Sequence, residues 1–274
     1  MAHLGGIISR GPGISFIEAT SVTANGRITP EDSGIWLDSQ ADELAKVVEF
    51  AHSQGQKIGI QLAHAGRKAS TVAPWISGGS TATKNVGGWP DNTWAPSAEA
   101  FSDTYPNPVA ITLEQIEEYK SAFADGVRRA LRAGFDVIEI HNAHGYLLHE
   151  FVSPVTNKRT DQYGGSFENR VRLTLEIVEL TRKIIPEGMP LFLRISATDW
   201  LEEVEPDTPS WRIEDTVELA KLLVGKVDVL DVSSGGNSPK QHIHAGAIQN
   251  SKLDTAYQAV SSPSPLPFST CYSN

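Results

Sequence analysis

The sequence predicts an α/β fold with a parallel sheet, in the form of an incomplete (β/α)8 or TIM barrel with about five of the eight strands. Three observations predict this fold. Short apolar runs alternate with helical patterns, an order that requires parallel strands. Polar residues stand at the ends of successive runs, as they do where barrel strands open into an active site. No glycine fingerprint joins the first run to the first helix, as an open dinucleotide-binding sheet would require.

Five apolar runs are predicted to form the strands. Each run is followed by polar or glycine-containing sequence and then by a helical pattern. The runs are 14–18, 58–62, 137–141, 191–196 and 227–233. Four of them carry a polar residue near the end: Glu18, Gln61, His141 and Arg194. Because parallel strands of a barrel end at the same rim, we expect these four side chains to line one shared mouth.

The helices between the strands are predicted from their start and stop signals. Capping boxes at Ser39 and Thr112 precede apolar residues at helical spacing, and Gly134 ends the second of these helices. A third helix is predicted over 167–185, ended by Pro186 and Gly188, with Ser166 as its cap. A fourth is predicted to begin near Ser210.

A long insertion, about residues 65–108, separates the second and third runs. It is rich in Gly, Pro, Ser and Trp, and ordered loops of this length are often lids or binding elements. Its large aromatic residues are Trp75, Trp89, Trp94 and Tyr105. Two roles remain open for them: they cover a flat ligand, or they hold the loop against the domain.

Composition narrows the function classes. The chain has 274 residues with 40% hydrophobic content, enough for one large domain, and a net charge of -10 that disfavours nucleic acids and anionic lipid surfaces as partners. Its single cysteine, Cys271, cannot form an internal disulfide. The sequence shows neither a secretory signal nor an apolar run long enough to cross a bilayer. We therefore expect a cytoplasmic protein.

Two histidines and a tyrosine lie within six positions where the third strand gives way to a loop: His141, His144 and Tyr146. A metal site would need further ligands, and none with similar reach is evident, so we expect no metal. A structural role is possible for buried histidines that only satisfy neighbouring groups. In the third interpretation, both imidazoles donate N–H groups to one carbonyl oxygen, and Tyr146 acts as a general acid.

Several segments of the chain resemble the Old Yellow Enzyme family of flavin-dependent ene-reductases, in the branch of the bacterial NADPH dehydrogenases and their fungal relatives. The resemblance extends over about residues 3–234. The matching segments are HNAHGYL at 141–147, HEFVSP at 149–154, NKRTDQYGGSFENR at 157–170, EAT at 18–20, QLAHAGRK at 61–68 and LFLRIS at 191–196.

This resemblance implies an FMN-dependent NADPH oxidoreductase that reduces the C=C bond of an α,β-unsaturated carbonyl compound, an enone or enal. Isomerisation or desaturation on the same scaffold stays open. His141 and His144 would hold the substrate carbonyl while hydride passes from the flavin to the β-carbon, and Tyr146 would protonate the α-carbon.

For the cofactor, the resemblance implies contacts from Ala19, Gln61 and Arg194. Gln61 would pair with the flavin pyrimidine edge, and Arg194 would stabilise the reduced flavin. Without the resemblance, Gln61 and Arg194 could equally be internal partners within the core. His64, Arg67 and Lys68 receive no role.

The family's first strand and its last two strands, which hold the FMN phosphate, have no counterpart in the sequence. We therefore expect a partial FMN-binding barrel over 1–247 that binds FMN weakly or not at all on its own, and a disordered Ser- and Pro-rich tail over 248–274. The alternative function is that of a truncated, non-catalytic protein. The substrate and the oligomeric state stay open.

Overall fold

The computed structural model describes residues 2–243. The tail predicted over 248–274 lies outside the described residues. The strands are β1 Ile14–Ser21, β2 Lys57–Ala63, β3 Trp94–Ala95, β4 Val109–Ala110, β5 Val137–Asn142, β6 Leu191–Ser196 and β7 Val229–Ser233. The helices are α1 Leu4–Ile8, α2 Asp38–Ser53, α3 Leu113–Ala133, α4 Leu147–Val152, α5 Phe167–Ile184 and α6 Ile213–Leu223.

Five parallel strands form the main sheet in the order β1-β2-β5-β6-β7, which confirms the α/β prediction and the number of strands. Each neighbouring pair is joined by a connection that contains at least one helix, as parallel pairing requires. In the described range 2–243, β1 and β7 each pair with one neighbour of this sheet and form its two edges.

The sheet has one apolar face and one face that carries both polar and aromatic residues. Register partners on parallel strands point to the same side of the sheet, so the pairing shows which residues share a face. On the apolar face, Ile60 pairs with Ile138, and Leu62 pairs with Ile140, all in the hydrophobic core together with residues of α2, α3 and α5. The opposite face carries five polar or charged residues from four strands: Gln61, Glu139, His141, Arg194 and Asp231. The chain therefore gathers its candidate functional groups on the face that the helices do not cover.

Helix boundaries agree with the sequence where a side chain caps the helix. Thr112 accepts the Gln115 amide N–H at 3.1 Å and Ser166 accepts that of Asn169 at 3.3 Å. Gly134 ends α3 with φ +92°, a left-handed conformation that suits glycine.

The predicted cap at Ser39 was wrong. The cap is Leu37 and α2 begins at Asp38, two residues earlier than predicted. The Gln40 side chain accepts the Leu37 N–H at 2.9 Å, and Arg129 of α3 binds the Asp38 carboxylate at 2.7 Å. The fourth helix, α6, begins at Ile213 and not near Ser210. Its start is displaced because a buried carboxylate, that of Asp199, accepts the Trp211 N–H at 2.9 Å.

The long insertion is held to the domain by two of its large aromatic residues, Trp89 and Trp94. The Trp89 indole donates to the Asn25 carbonyl oxygen at 2.8 Å, and the Arg27 guanidinium lies 4.4 Å from the centre of the Trp89 ring. Trp94 stacks on His64 with ring centres 5.7 Å apart. Trp75, in contrast, is 85% exposed. These contacts favour the anchoring role for Trp89 and Trp94.

None of the helices within residues 2–243 is both long enough and apolar enough to span a membrane.

Candidate active site

A four-residue loop between β5 and α4, residues 143–146, carries His144 and Tyr146. His144 has φ +61° and Gly145 has φ +69°, so the chain turns sharply at the carboxyl end of the sheet. A Cβ on Gly145 would collide with the Gly236 carbonyl oxygen, so only glycine fits there. The His144 N–H donates to Ser196 Oγ at 2.9 Å. The turn is therefore fixed by close contacts with the end of β6 and the segment after β7.

His141, on β5, is buried with its tautomer set by the backbone. Its Nδ1 atom accepts the Ala143 N–H at 3.3 Å, so in the neutral ring the proton is on Nε2. Burial, with the nearby charges of His144 and Arg194, lowers the pKa of His141 well below its ordinary value. The ring is neutral at physiological pH and offers one N–H donor.

His144 lies beside it, with ring centres 5.2 Å apart. Its Nε2 atom is 2.7 Å from Ser233 Oγ at the end of β7. Burial and then the charge of Arg194 lower the pKa of His144 to about 3. The structure thus brings two neutral imidazoles together at the rim.

Tyr146 completes this group, with its ring centre 4.9 Å from that of His141. It is half-buried and lines a cleft whose other walls include Ala19, Ala63 and Ala65. The small side chains keep this cleft open next to the phenol.

Gln61 and Arg194 lie on the same face of the sheet as His141 and already have partners within the chain. Gln61 Nε2 donates to Glu139 at 2.6 Å, and Arg194 Nε lies 3.2 Å from Asp231. Burial raises the pKa of Glu139 to about 7, against the lowering effect of the Gln61 hydrogen bond. Glu139 lies on the same face of β5 as His141, two residues nearer the start of the strand.

Glu18 does not join this group, so the expected mouth of four residues was wrong at this position. β1 continues beyond it to Ser21, and the Glu18 carboxylate is 66% exposed and lies 2.5 Å from His3. The register of β1 against β2 shifts between Ile17 and Thr20. This irregularity breaks the simple alternation from which the position of Glu18 was predicted.

The residues present fit the group that the sequence resemblance implies, FMN. The Nε atom of Arg194 is buried and makes no hydrogen bond with the described residues, although it forms an ion pair with Asp231. The side chain as a whole is 32% exposed. A guanidinium and an amide on one face suit the mixed donors and acceptors of a flavin edge. Ala19 supplies the small side chain that close approach of a planar ring requires.

A metal site finds no support in residues 2–243, where no group of three or more His, Cys, Asp or Glu side chains could hold an ion.

Sequence reasoning missed three polar residues around the loop. Lys68 donates to the carbonyl oxygens of His144, at 2.9 Å, and Gly236. Burial and then the charge of Arg67 lower the pKa of Lys68 to about 7. Ser233 contacts His144, as described above. Glu150, buried on α4, accepts the Arg67 N–H at 2.9 Å. The sequence signal for Lys68 was the motif QLAHAGRK, which ends at this residue but does not indicate where its side chain points.

Glu150 predicts a measurable pH dependence of stability. Burial raises its pKa to about 8, against the opposing charges of Arg67 and Lys68, while the ordinary value is 4.5. At pH values between 4.5 and about 8, Glu150 keeps its proton in the folded chain and has lost it in the unfolded chain. The free energy of unfolding therefore falls as pH rises. The contribution is about 1.4 kcal/mol per pH unit and proton.

In Glu150→Gln this contribution is absent. The measurement is urea unfolding of both proteins between about pH 5 and 8. As pH rises, the wild type is expected to lose stability relative to the variant, so the free energy of unfolding of the variant minus that of the wild type increases. Parallel pH profiles would mean that Glu150 is ionised in the folded chain.

Comparison with known proteins gives the family. The sequence profile of the NADH:flavin oxidoreductase / NADH oxidase family matches residues 9–255. An NADH:flavin oxidoreductase of Gibberella zeae is 56% identical over 264 residues, which are 94% of this chain and 64% of that protein. An NADPH dehydrogenase of Bacillus subtilis is 42% identical over 237 residues, 85% of this chain and 62% of that protein.

Among solved structures, Old Yellow Enzyme from Pichia sp. AKU4542 aligns with a TM-score of 0.61 and 33% identity, covering 71% of this chain and 50% of that one. The chain spans less than two thirds of the length of each of these relatives. It belongs to the NADH:flavin oxidoreductase / NADH oxidase family, the oxidoreductases that include the Old Yellow Enzymes and use FMN with NAD(P)H as hydride donor.

Proposed function

We propose that this chain takes part in the FMN-dependent reduction, by NADPH, of the C=C bond of an α,β-unsaturated carbonyl compound. The observation that carries the proposal is the convergence of two neutral imidazoles and a phenol at one rim of the sheet. Their ring centres are 5.2 and 4.9 Å apart, and Gln61 and Arg194 share the face of His141.

His141 and His144 bind the carbonyl oxygen of the substrate in this proposal. The Nε2–H of His141 is a donor because Nδ1 accepts a backbone N–H. For His144 the proposal takes Ser233 as the donor to Nε2, which places the ring proton on Nδ1. Two hydrogen bonds to the oxygen withdraw electron density from the conjugated β-carbon and stabilise the negative charge that develops on the oxygen.

Low pKa values support this role. An imidazole that stays neutral donates without transferring its proton to the oxygen, as carbonyl polarisation requires. The nearby Arg194 disfavours protonation of both rings and favours an anionic group in the cleft.

Gln61 and Arg194 would hold the polar edge of FMN, with Ala19 against the ring. Bound FMN, reduced by NADPH, would supply the hydride to the β-carbon of the substrate. Tyr146 then donates its phenolic proton to the α-carbon, and the resulting phenolate recovers a proton from solvent. In its protonated form Lys68, with Nζ 5.8 Å from the centre of the Tyr146 ring, stabilises this phenolate.

The test is an absorbance titration of the purified chain with FMN, followed by NADPH oxidation with and without cyclohexenone and chromatographic detection of cyclohexanone. Since the chain alone is expected to bind FMN weakly at best, the titration needs a large excess of flavin. Under these conditions the proposed function predicts weak, saturable flavin binding and enone-dependent NADPH oxidation, with no stimulation by the saturated ketone. FMN binding without enone turnover would contradict the proposed reaction. Absence of FMN binding at any accessible concentration would favour the non-catalytic alternative.

A further inference from the structure

A third histidine, His149, lies in α4 beneath the loop that carries His144 and Tyr146. Its side chain is fully buried, and its Nδ1 atom accepts the Gly145 N–H at 2.9 Å. A ring nitrogen that accepts a hydrogen bond carries no proton, so the proton of neutral His149 is on Nε2. The backbone amide between the two proposed working residues is therefore bound by a single tautomer of this ring.

Asp199 faces the other side of the His149 ring. Its Oδ1 atom lies 3.0 Å from Nε2, an ion-pair distance between two fully buried side chains, and neither atom makes an aligned hydrogen bond with any residue of 2–243. The second oxygen, Oδ2, accepts Ser153 Oγ–H at 2.6 Å and the Trp211 N–H at 2.9 Å. Burial alone would raise the pKa of Asp199, but the nearby His149 ring and the hydrogen bonds from Ser153 and Trp211 lower it, so the carboxylate is ionised.

The loop held by this pair needs an external support. His144 is a non-glycine residue with φ +61°, a conformation that costs free energy and persists only when neighbouring contacts impose it. Gly145 follows with φ +69° and leaves no room for a side chain. The accepting nitrogen of His149 provides such a contact at the centre of the turn.

We propose that His149 and Asp199 form a positioning pair, in which the buried carboxylate selects the His149 tautomer that binds the Gly145 amide and so holds His144 and Tyr146 in place. This inference rests on the proposed function in one respect: His144 is taken as the residue that binds the substrate carbonyl and Tyr146 as the proton donor. Neither member of the pair contacts the substrate.

Asp199→Asn separates tautomer selection from simple packing, because the two side chains have the same size. The asparagine oxygen can still accept from Ser153 and Trp211, which turns its NH2 group toward His149. Nε2 must then accept, and the proton moves to Nδ1. That proton points at the Gly145 N–H, so two donors face each other and the hydrogen bond is lost.

The first readout is the tautomer of His149, from the ¹⁵N chemical shifts of its ring in the whole chain without flavin. We expect the proton on Nε2 in the wild type and on Nδ1 in Asp199→Asn. The second is amide hydrogen exchange, in which Gly145 is expected to exchange at least about 10-fold faster in the variant. Asp136→Asn, at the opposite end of the sheet, makes the same chemical change and is expected to leave both readouts unaltered.

The third readout is enone reduction with FMN added. Misplacement of catalytic groups by about 1 Å costs on the order of 10²-fold, so kcat is expected to fall by that factor in Asp199→Asn while the Kd for FMN stays the same. A wild-type proton on Nδ1 would overturn the positioning pair without any variant, and so would unchanged Gly145 exchange or unchanged kcat in Asp199→Asn. If the wild type shows no enone turnover, the proposed function fails, while the NMR and exchange results still decide whether the pair holds the loop.

Discussion

Tyr146→Phe is expected to slow enone reduction by roughly 10²- to 10⁴-fold, the usual contribution of a positioned general acid. The phenol lies beside His141, with ring centres 4.9 Å apart, in a cleft walled by Ala19 and Ala63. Phenylalanine keeps the ring and its contacts but has no proton to donate to the α-carbon. The measurement is the steady-state rate of NADPH oxidation with cyclohexenone in the presence of saturating FMN.

Two controls show whether the loss concerns proton donation. With a dye that accepts electrons and needs no proton at carbon, Tyr146→Phe is expected to oxidise NADPH at the wild-type rate. Tyr163→Phe removes a phenol that binds Glu176 at 3.0 Å and is expected to keep enone activity. Equal losses with the enone and the dye would assign Tyr146 to NADPH or flavin binding and not to proton transfer.

His141→Ala is the second substitution with a large expected effect. It removes an N–H donor to the substrate oxygen, and loss of one such donor typically lowers kcat by roughly 10²- to 10³-fold. His141 is buried and neutral, so its hydrogen bond to a developing negative charge is little weakened by water. The measurement is kcat and kcat/KM for cyclohexenone, with FMN affinity determined separately by absorbance.

His141→Gln is the matched control, because its amide nitrogen can reach the position of Nε2 and still donate. We expect it to recover part of the activity that His141→Ala loses. Enone turnover that does not change in His141→Ala would exclude His141 from binding the carbonyl. A fall in FMN affinity alone would assign the histidine to the cofactor.

The parallel strands could be predicted from the sequence because the residues that indicate each strand are neighbours in the chain. Each predicted run coincides with a strand to within about three residues, since short apolar runs between helical patterns seldom form any other secondary structure. Thr112 and Ser166 were predictable as caps because the hydrogen bond joins residues three apart in the chain. The α2 and α6 starts were less accurate because Arg129 and Asp199 act on them from distant parts of the sequence.

The sequence alone determined that two histidines and a tyrosine lie at the end of a buried strand, and its motifs identified the family. Only the tertiary structure decided which ring nitrogen of His141 and of His149 carries the proton, that Glu18 points away from the other strand-end residues, and that Lys68 and His149 contact the loop. The physical reason is that a tautomer or a pKa depends on burial and on the atoms opposite each ring. For His149 and Asp199, those atoms lie 50 residues apart in the chain and 3.0 Å apart in the fold.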